Sequence, residues 1–134
     1  DNGYTKEEQK MIDETRKILG DQSLKITATT VRVPVYYGHS ESINVEFNKP
    51  VTLEGVIETL KSAEGLVVMD DVKNGVYPTP LDIADTDPVY VGRIRLDDSV
   101  ENGVNLWVVA DNIRKGAATN AVQIAERIIA KRNK

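Results

Sequence analysis

There is no cysteine among these 134 residues. Disulfides and thiolate metal sites are thereby excluded, and the lack points toward the reducing cytoplasm. Histidine occurs once. With no cysteine beside it, that is too little for a structural zinc site, and no metal is expected. No apolar run is long enough to span a bilayer. Asp1-Asn2-Gly3-Tyr4 has no signal-peptide character. Basic residues are in the minority, 17 against 21 acidic, for a net charge of -4. That balance argues against nucleic acid or an anionic membrane as a partner. Internal repeats and low-complexity segments are also absent. What remains is a chain with 40% hydrophobic residues, ordinary for one soluble globular domain or a large piece of one.

Thr5-Lys6-Glu7-Glu8 forms a capping box, with Thr5 as N-cap and Glu8 returning to its backbone N–H. Ile12, Thr15 and Leu19 follow at helical spacing, and Gly20 is a stop. The pattern predicts a helix over 6–19. Glu7 and Lys10 stand three apart on its outer face, which by themselves make an ordinary solvated ion pair. From Lys25 to Val35 the residues become β-branched, with Val31, Val33 and Val35 on one side and Arg32 on the other. This stretch reads as a strand in which Pro34 marks an edge, a bulge or the strand's end. Tyr36-Tyr37-Gly38 then makes a turn, and a second strand over 40–47 pairs with the first in antiparallel fashion.

Thr52 caps a short helix carrying Leu53, Val56, Ile57 and Leu60, which Gly65 ends. Leu66 to Met69 is a short buried strand. Residues 70–88 are irregular, broken by Pro78, Pro80 and Pro88, and a connection that long covers a site or an interface, or is a plain surface excursion. Val89 to Leu96 is a strand with Arg93 and Arg95 on one face and Ile94 and Leu96 on the other. Val104 to Ala110 is apolar on both faces and so reads as a central strand. After the loop 111–116 a helix is expected over 117–131. The class is α+β.

The chemistry-bearing residues cluster in the stretch from Arg32 to His39. An arginine suits a carboxylate because its planar fork binds both oxygens. A histidine suits proton transfer near neutral pH. One strand and its turn would then hold a small acid by its anionic group and act on its reactive group. Read without context, a lone histidine after a turn is more often a surface or hydrogen-bonded residue than a catalyst, and Arg32 is equally a cross-strand salt bridge. Asp111-Asn112 before a helix is also an ordinary helix-start signal.

Several segments together carry a resemblance. They are Glu7-Glu8-Gln9-Lys10, Val31-Arg32-Val33-Pro34-Val35, Gly38-His39-Ser40-Glu41, Val91-Gly92-Arg93-Ile94-Arg95, and Leu106-Trp107-Val108-Val109-Ala110-Asp111-Asn112 running into Lys115-Gly116-Ala117-Ala118. In this order they resemble the C-terminal part of the aspartate-semialdehyde dehydrogenase family. The resemblance implies a mixed, largely antiparallel sheet with helices packed on one face, an incomplete C-terminal domain of the glyceraldehyde-3-phosphate dehydrogenase kind. It implies an enzyme that reduces L-4-aspartyl phosphate to L-aspartate 4-semialdehyde with NADPH and releases phosphate, in lysine, threonine and methionine biosynthesis. It further implies that Arg32 binds the substrate's α-carboxylate, Glu7 its amino group and Lys10 the phosphate. His39 would be the acid/base at the thiohemiacetal hydroxyl, and Asn112 would lie against the NADP cofactor. A homo-oligomer, a dimer through the sheet or a tetramer, is implied as well.

Two parts of that family's machinery are missing from these residues: the nucleophilic cysteine and a GxGxxG dinucleotide-binding turn. Both are expected upstream. The start at Asp1, next to a site-bearing helix, fits a truncated piece. Residues 1–134 would form a partial catalytic and dimerisation domain, inactive alone, in which 116–134 is a helix that packs on the missing dinucleotide-binding domain. Two other readings stay open. One is a sister reductase of another acyl phosphate, such as N-acetylglutamyl phosphate, or of an acyl-CoA. The other is a non-catalytic dimerisation paralogue.

Overall fold

A computed structural model describes residues 2–132. Asp1, Asn133 and Lys134, which the expected domain and its last helix include, lie outside the described residues. The chain divides into two compact units, Asp1–Pro34 and Val35–Lys134.

The first unit is built on helix α1, Lys6–Leu19. Its capping box is complete. Thr5 Oγ1 accepts from the Glu8 N–H at 3.2 Å, and Glu8 Oε2 accepts from the Thr5 N–H at 2.8 Å. Gly20 ends the helix at φ 70°, a left-handed conformation that favours glycine. Ile12 is buried on the inner face.

Residues 25–35 correct the expectation of a strand. They form no ladder among the described residues, and Val31 remains 78% exposed. The alternation is that of a strand, but alternation makes one only where a neighbouring backbone supplies the hydrogen bonds. The strand expected as its partner pairs elsewhere. Side chains hold the extended stretch instead. Glu8 Oε1 accepts from the Thr30 N–H at 2.8 Å, Tyr4 Oη lies 2.8 Å from Thr27 Oγ1, and Arg16 donates to the Leu24 carbonyl at 2.9 and 3.0 Å.

The second unit is a four-stranded sheet of order β1-β4-β3-β2. Its strands are β1 (His39–Glu46), β2 (Leu66–Val68), β3 (Val89–Asp97) and β4 (Gly103–Ala110). The β1–β4 and β3–β4 pairs are antiparallel and β2–β3 is parallel, a mixed, largely antiparallel sheet. β4 is central, as its two apolar faces imply. Helix α2, Leu53–Ser62, begins at Thr52, whose hydroxyl accepts from the Gly55 N–H at 3.1 Å. It lies over the face that carries Val45, Val104 and Leu106, leaving an apolar groove of about 500 Å³ along Val56 and Leu60.

The connection between β2 and β3 crosses the other face. It includes a short helix, α3, Pro80–Ile83, whose Ile83 is fully buried. Trp107 shows why it lies there: the indole N–H donates to the Pro78 carbonyl at 2.9 Å. Opposite Trp107 stands Gly92, where a Cβ would collide with the Met69 carbonyl oxygen and stand 2.6 Å from Pro78 Cδ. The register of β3 shifts between Gly92 and Arg95, with Arg93 at φ 51°. The strict alternation of Arg93, Ile94, Arg95 and Leu96 is therefore broken by a bulge. Asp70 Oδ2 accepts from the Ile94 N–H at 2.9 Å and fixes the irregularity. After β4 comes a π-helical stretch, Arg114–Ala118, and then helix α4, Thr119–Arg132.

Candidate functional site

The residues expected to carry chemistry fall into two sets, one in each unit. Glu7, Lys10 and Arg32 belong to the first, His39 and Asn112 to the second.

In the first unit, Lys10 Nζ lies 3.3 Å from Glu7 Oε1 across one helical turn, and both side chains are more than half exposed. An exposed pair of this kind contributes little to stability, roughly 0–1 kcal/mol. Both groups therefore remain open to a charged ligand. Arg32 is exposed and makes no hydrogen bond or ion pair among the described residues.

Glu8 joins the two parts of this set. It is 8% exposed and holds the Thr5 amide with one oxygen and the Thr30 amide with the other. The helix bearing Glu7 and Lys10 is thus tied to the extended stretch bearing Arg32. The backbone N–H groups of Thr5 and then of Thr30 hold the Glu8 carboxyl below the usual carboxylate range. The capping role of Glu8 is legible in four consecutive residues. Its second contact spans 22 positions, and no local signal carries it.

In the second unit, His39 opens β1 opposite Ala110. It stands at the head of a strand and not in a turn after one. Its side chain is exposed. The residue before it, Gly38, has φ 87° and sits in a tight place, since a Cβ there would lie 3.3 Å from the Ala110 carbonyl oxygen. The Gly38 N–H donates to Asn112 Oδ1 at 3.0 Å. The structure thus brings Asn112 against the backbone of Gly38, the residue before His39, a contact across 74 positions that sequence reading missed.

Asp111 beneath them was missed too. It is 2% exposed, and its carboxylate accepts from the N–H groups of Asp85 at 3.0 Å, Ile113 at 2.9 Å and Arg114 at 3.1 Å. The Asp85 amide foremost, then those of Arg114 and Ile113, keeps this carboxyl below its ordinary range. The signal available for it was the Asp-Asn pair before a helix, which does cap the following turn. Next to it, Asp87 Oδ1 accepts from Arg114 Nε at 2.7 Å and from Thr119 Oγ1 at 3.1 Å, anchoring the start of α4.

Asn112 is half-buried, and its amide nitrogen donates to no group among the described residues. One face of that amide is available to a polar cofactor. No group of three or more histidine, aspartate or glutamate side chains is placed to hold a metal ion among the described residues. Nor is any described helix long and apolar enough to cross a membrane. A further hollow of about 260 Å³ lies beside the β3 bulge, lined by Asp70, Asp71, Tyr77, Arg93 and Arg95. The irregular connection thus rims a hollow that is separate from His39.

Residues 1–115 match the family model described as "Semialdehyde dehydrogenase, dimerisation domain". The chain is 56% identical over 129 residues to the aspartate-semialdehyde dehydrogenase of Aquifex aeolicus, covering 96% of this chain and 38% of that protein. Its fold matches the crystal structure of aspartate semialdehyde dehydrogenase II from Vibrio cholerae with a TM-score of 0.90 and 50% identity, over 97% of this chain and 38% of that one. A probable aspartate-semialdehyde dehydrogenase from Pseudomonas aeruginosa matches with a TM-score of 0.85 and 35% identity, over 96% and 38%. The chain spans 38% of the length of the Aquifex relative.

Proposed function

The chain belongs to the semialdehyde dehydrogenase family, by the match of its residues 1–115 to the dimerisation domain, and from that premise we propose that it is the substrate-binding and acid–base part of an NADP-dependent aspartate-semialdehyde dehydrogenase. Such an enzyme reduces L-4-aspartyl phosphate to L-aspartate 4-semialdehyde and releases phosphate, in the cytoplasm, on the way to lysine, threonine and methionine. The observation that carries the reading is the assembly in one unit of a carboxylate, an ammonium and a guanidinium, Glu7, Lys10 and Arg32, on two segments joined by the buried Glu8.

That set matches the charges of the substrate. Arg32 presents a planar fork to the α-carboxylate. Glu7 attracts the α-ammonium, and Lys10 offers a compact positive charge to phosphate. His39 moves one proton: it removes it from the thiohemiacetal hydroxyl in the oxidative direction and returns it in the reductive one, so that no oxygen carries full charge. The thiol of that adduct comes from outside these 134 residues, which contain no cysteine. Asn112 keeps one amide face toward the nicotinamide cofactor, which supplies hydride when bound. Val122, Ile124, Ile128 and Ile129 of α4 are each about half exposed, the apolar surface a helix needs to pack on a dinucleotide-binding domain. The sheet serves as the surface of a homodimer, or of a tetramer built from dimers.

The test is a chimaera in which this chain replaces the matching region of the Aquifex aeolicus protein. Phosphate-dependent NADP reduction with L-aspartate 4-semialdehyde is the assay. Turnover is expected from the chimaera and none above a blank from the isolated chain. Arg32→Ala and His39→Ala are each expected to lower kcat/KM about 100-fold or more. A folded chimaera whose turnover stays within about threefold after both substitutions overturns the reading.

A further inference from the structure

We infer that Asn112 is a positioning residue for His39, acting through the amide of Gly38. The inference rests on the reading of His39 as the acid/base and adds the part that sets where its imidazole stands.

The His39 side chain forms no hydrogen bond among the described residues. Its place is therefore set by its backbone. That backbone lies at the end of a ladder: β1 begins at His39 opposite Ala110, where β4 ends. Terminal rungs fray unless something ties them down. The Asn112 side chain supplies the tie. Two residues beyond Ala110, where the main chain of β4 has turned away, Asn112 Oδ1 accepts the Gly38 N–H at 3.0 Å. A side-chain carbonyl thus takes the place of the next main-chain acceptor.

The tie is rigid at both ends. Asn112 is flanked by Asp111, whose buried carboxylate holds three backbone amides from both sides of the loop, and the Lys115 N–H donates to the Asp111 carbonyl at 2.8 Å. Gly38, at φ 87°, is packed against the Ala110 carbonyl, Pro80 and Ile83, with 3.3–3.6 Å to an added Cβ. A tether fixed at one end and enclosed at the other transmits its position to the next residue, His39. Among the described residues only the oxygen of Asn112 is engaged, so this role is compatible with a cofactor contact through its nitrogen.

Asn112→Ala removes the acceptor, and Asn112→Asp keeps one. In the 134-residue chain, amide exchange at Gly38 read by NMR is expected to quicken about five- to tenfold in Asn112→Ala and to return toward the unsubstituted rate in Asn112→Asp. In the Aquifex chimaera, Asn112→Ala is expected to lower kcat about tenfold, with or without a rise in KM for NADP, and Asn112→Asp to recover most of the kcat loss. Unchanged exchange at Gly38 overturns the inference. So does a raised KM for NADP with kcat preserved, which would make Asn112 a cofactor contact alone. A His39→Ala chimaera that keeps its kcat strikes instead at the proposed function, leaving the Gly38 exchange result to stand by itself.

Discussion

Glu8 is the residue on which the first unit turns. Both of its oxygens hold backbone amides at 2.8 Å, one in its own helix cap and one 22 positions away. These bonds favour the charged form, so its folded-state pKa lies below the unfolded one. A depressed carboxyl contributes stability that is complete above the unfolded pKa, which for glutamate is about 4.3, and that is lost as pH falls through the lower folded value. Glu8→Gln should therefore reduce the urea midpoint near neutral pH, and its gap to the unsubstituted chain should narrow below about pH 4. A gap that stays constant from neutral to acid pH would show that the carboxylate charge plays no part. Should the variant also lose affinity for the semialdehyde in the chimaera, the strap between helix and Arg32 would be the cause.

Among the elements, the sheet face near Trp107 tolerates change least. Gly92 stands opposite Trp107, with the Met69 carbonyl and Pro78 where a side chain would project. Gly92→Ala forces the connection or the strand to move, at about 1–3 kcal/mol. Urea unfolding should show a lower midpoint with the same slope, and a cost under about 0.5 kcal/mol would mean that the connection yields freely.

The elements that sequence reading placed correctly are those whose signals are local. Thr5 with Glu8, Thr52 with Gly55, and Gly20 settle helix ends by chemistry within four residues. Residues 25–35 fail for the opposite reason: β-branched alternation describes a ribbon that would fit a sheet, and whether a ladder forms depends on another segment. The β3 bulge is similar, since Asp70 sets it from 24 positions away. The five candidate site residues come from a family likeness, while the ties that hold them, Glu8 to Thr30 and Asn112 to Gly38, are long-range contacts that no window of sequence contains.

For the molecule as a whole, the homodimer reading predicts self-association of the 134-residue chain. Sedimentation equilibrium should show mass rising toward twice 14.8 kDa with concentration. A single monomeric species at the highest attainable concentration would remove the sheet as the pairing surface. The strand order carries a consequence for how far such association goes. One border of the sheet is β2, three residues long, and the other is β1, eight residues long with its outer side unladdered among the described residues. A three-residue border gives a neighbour too few rungs to hold. In the language of polymer chemistry, the sheet would be a monofunctional unit under the homodimer reading: growth through its one long border would terminate at two, where a sheet with two long borders would make fibres.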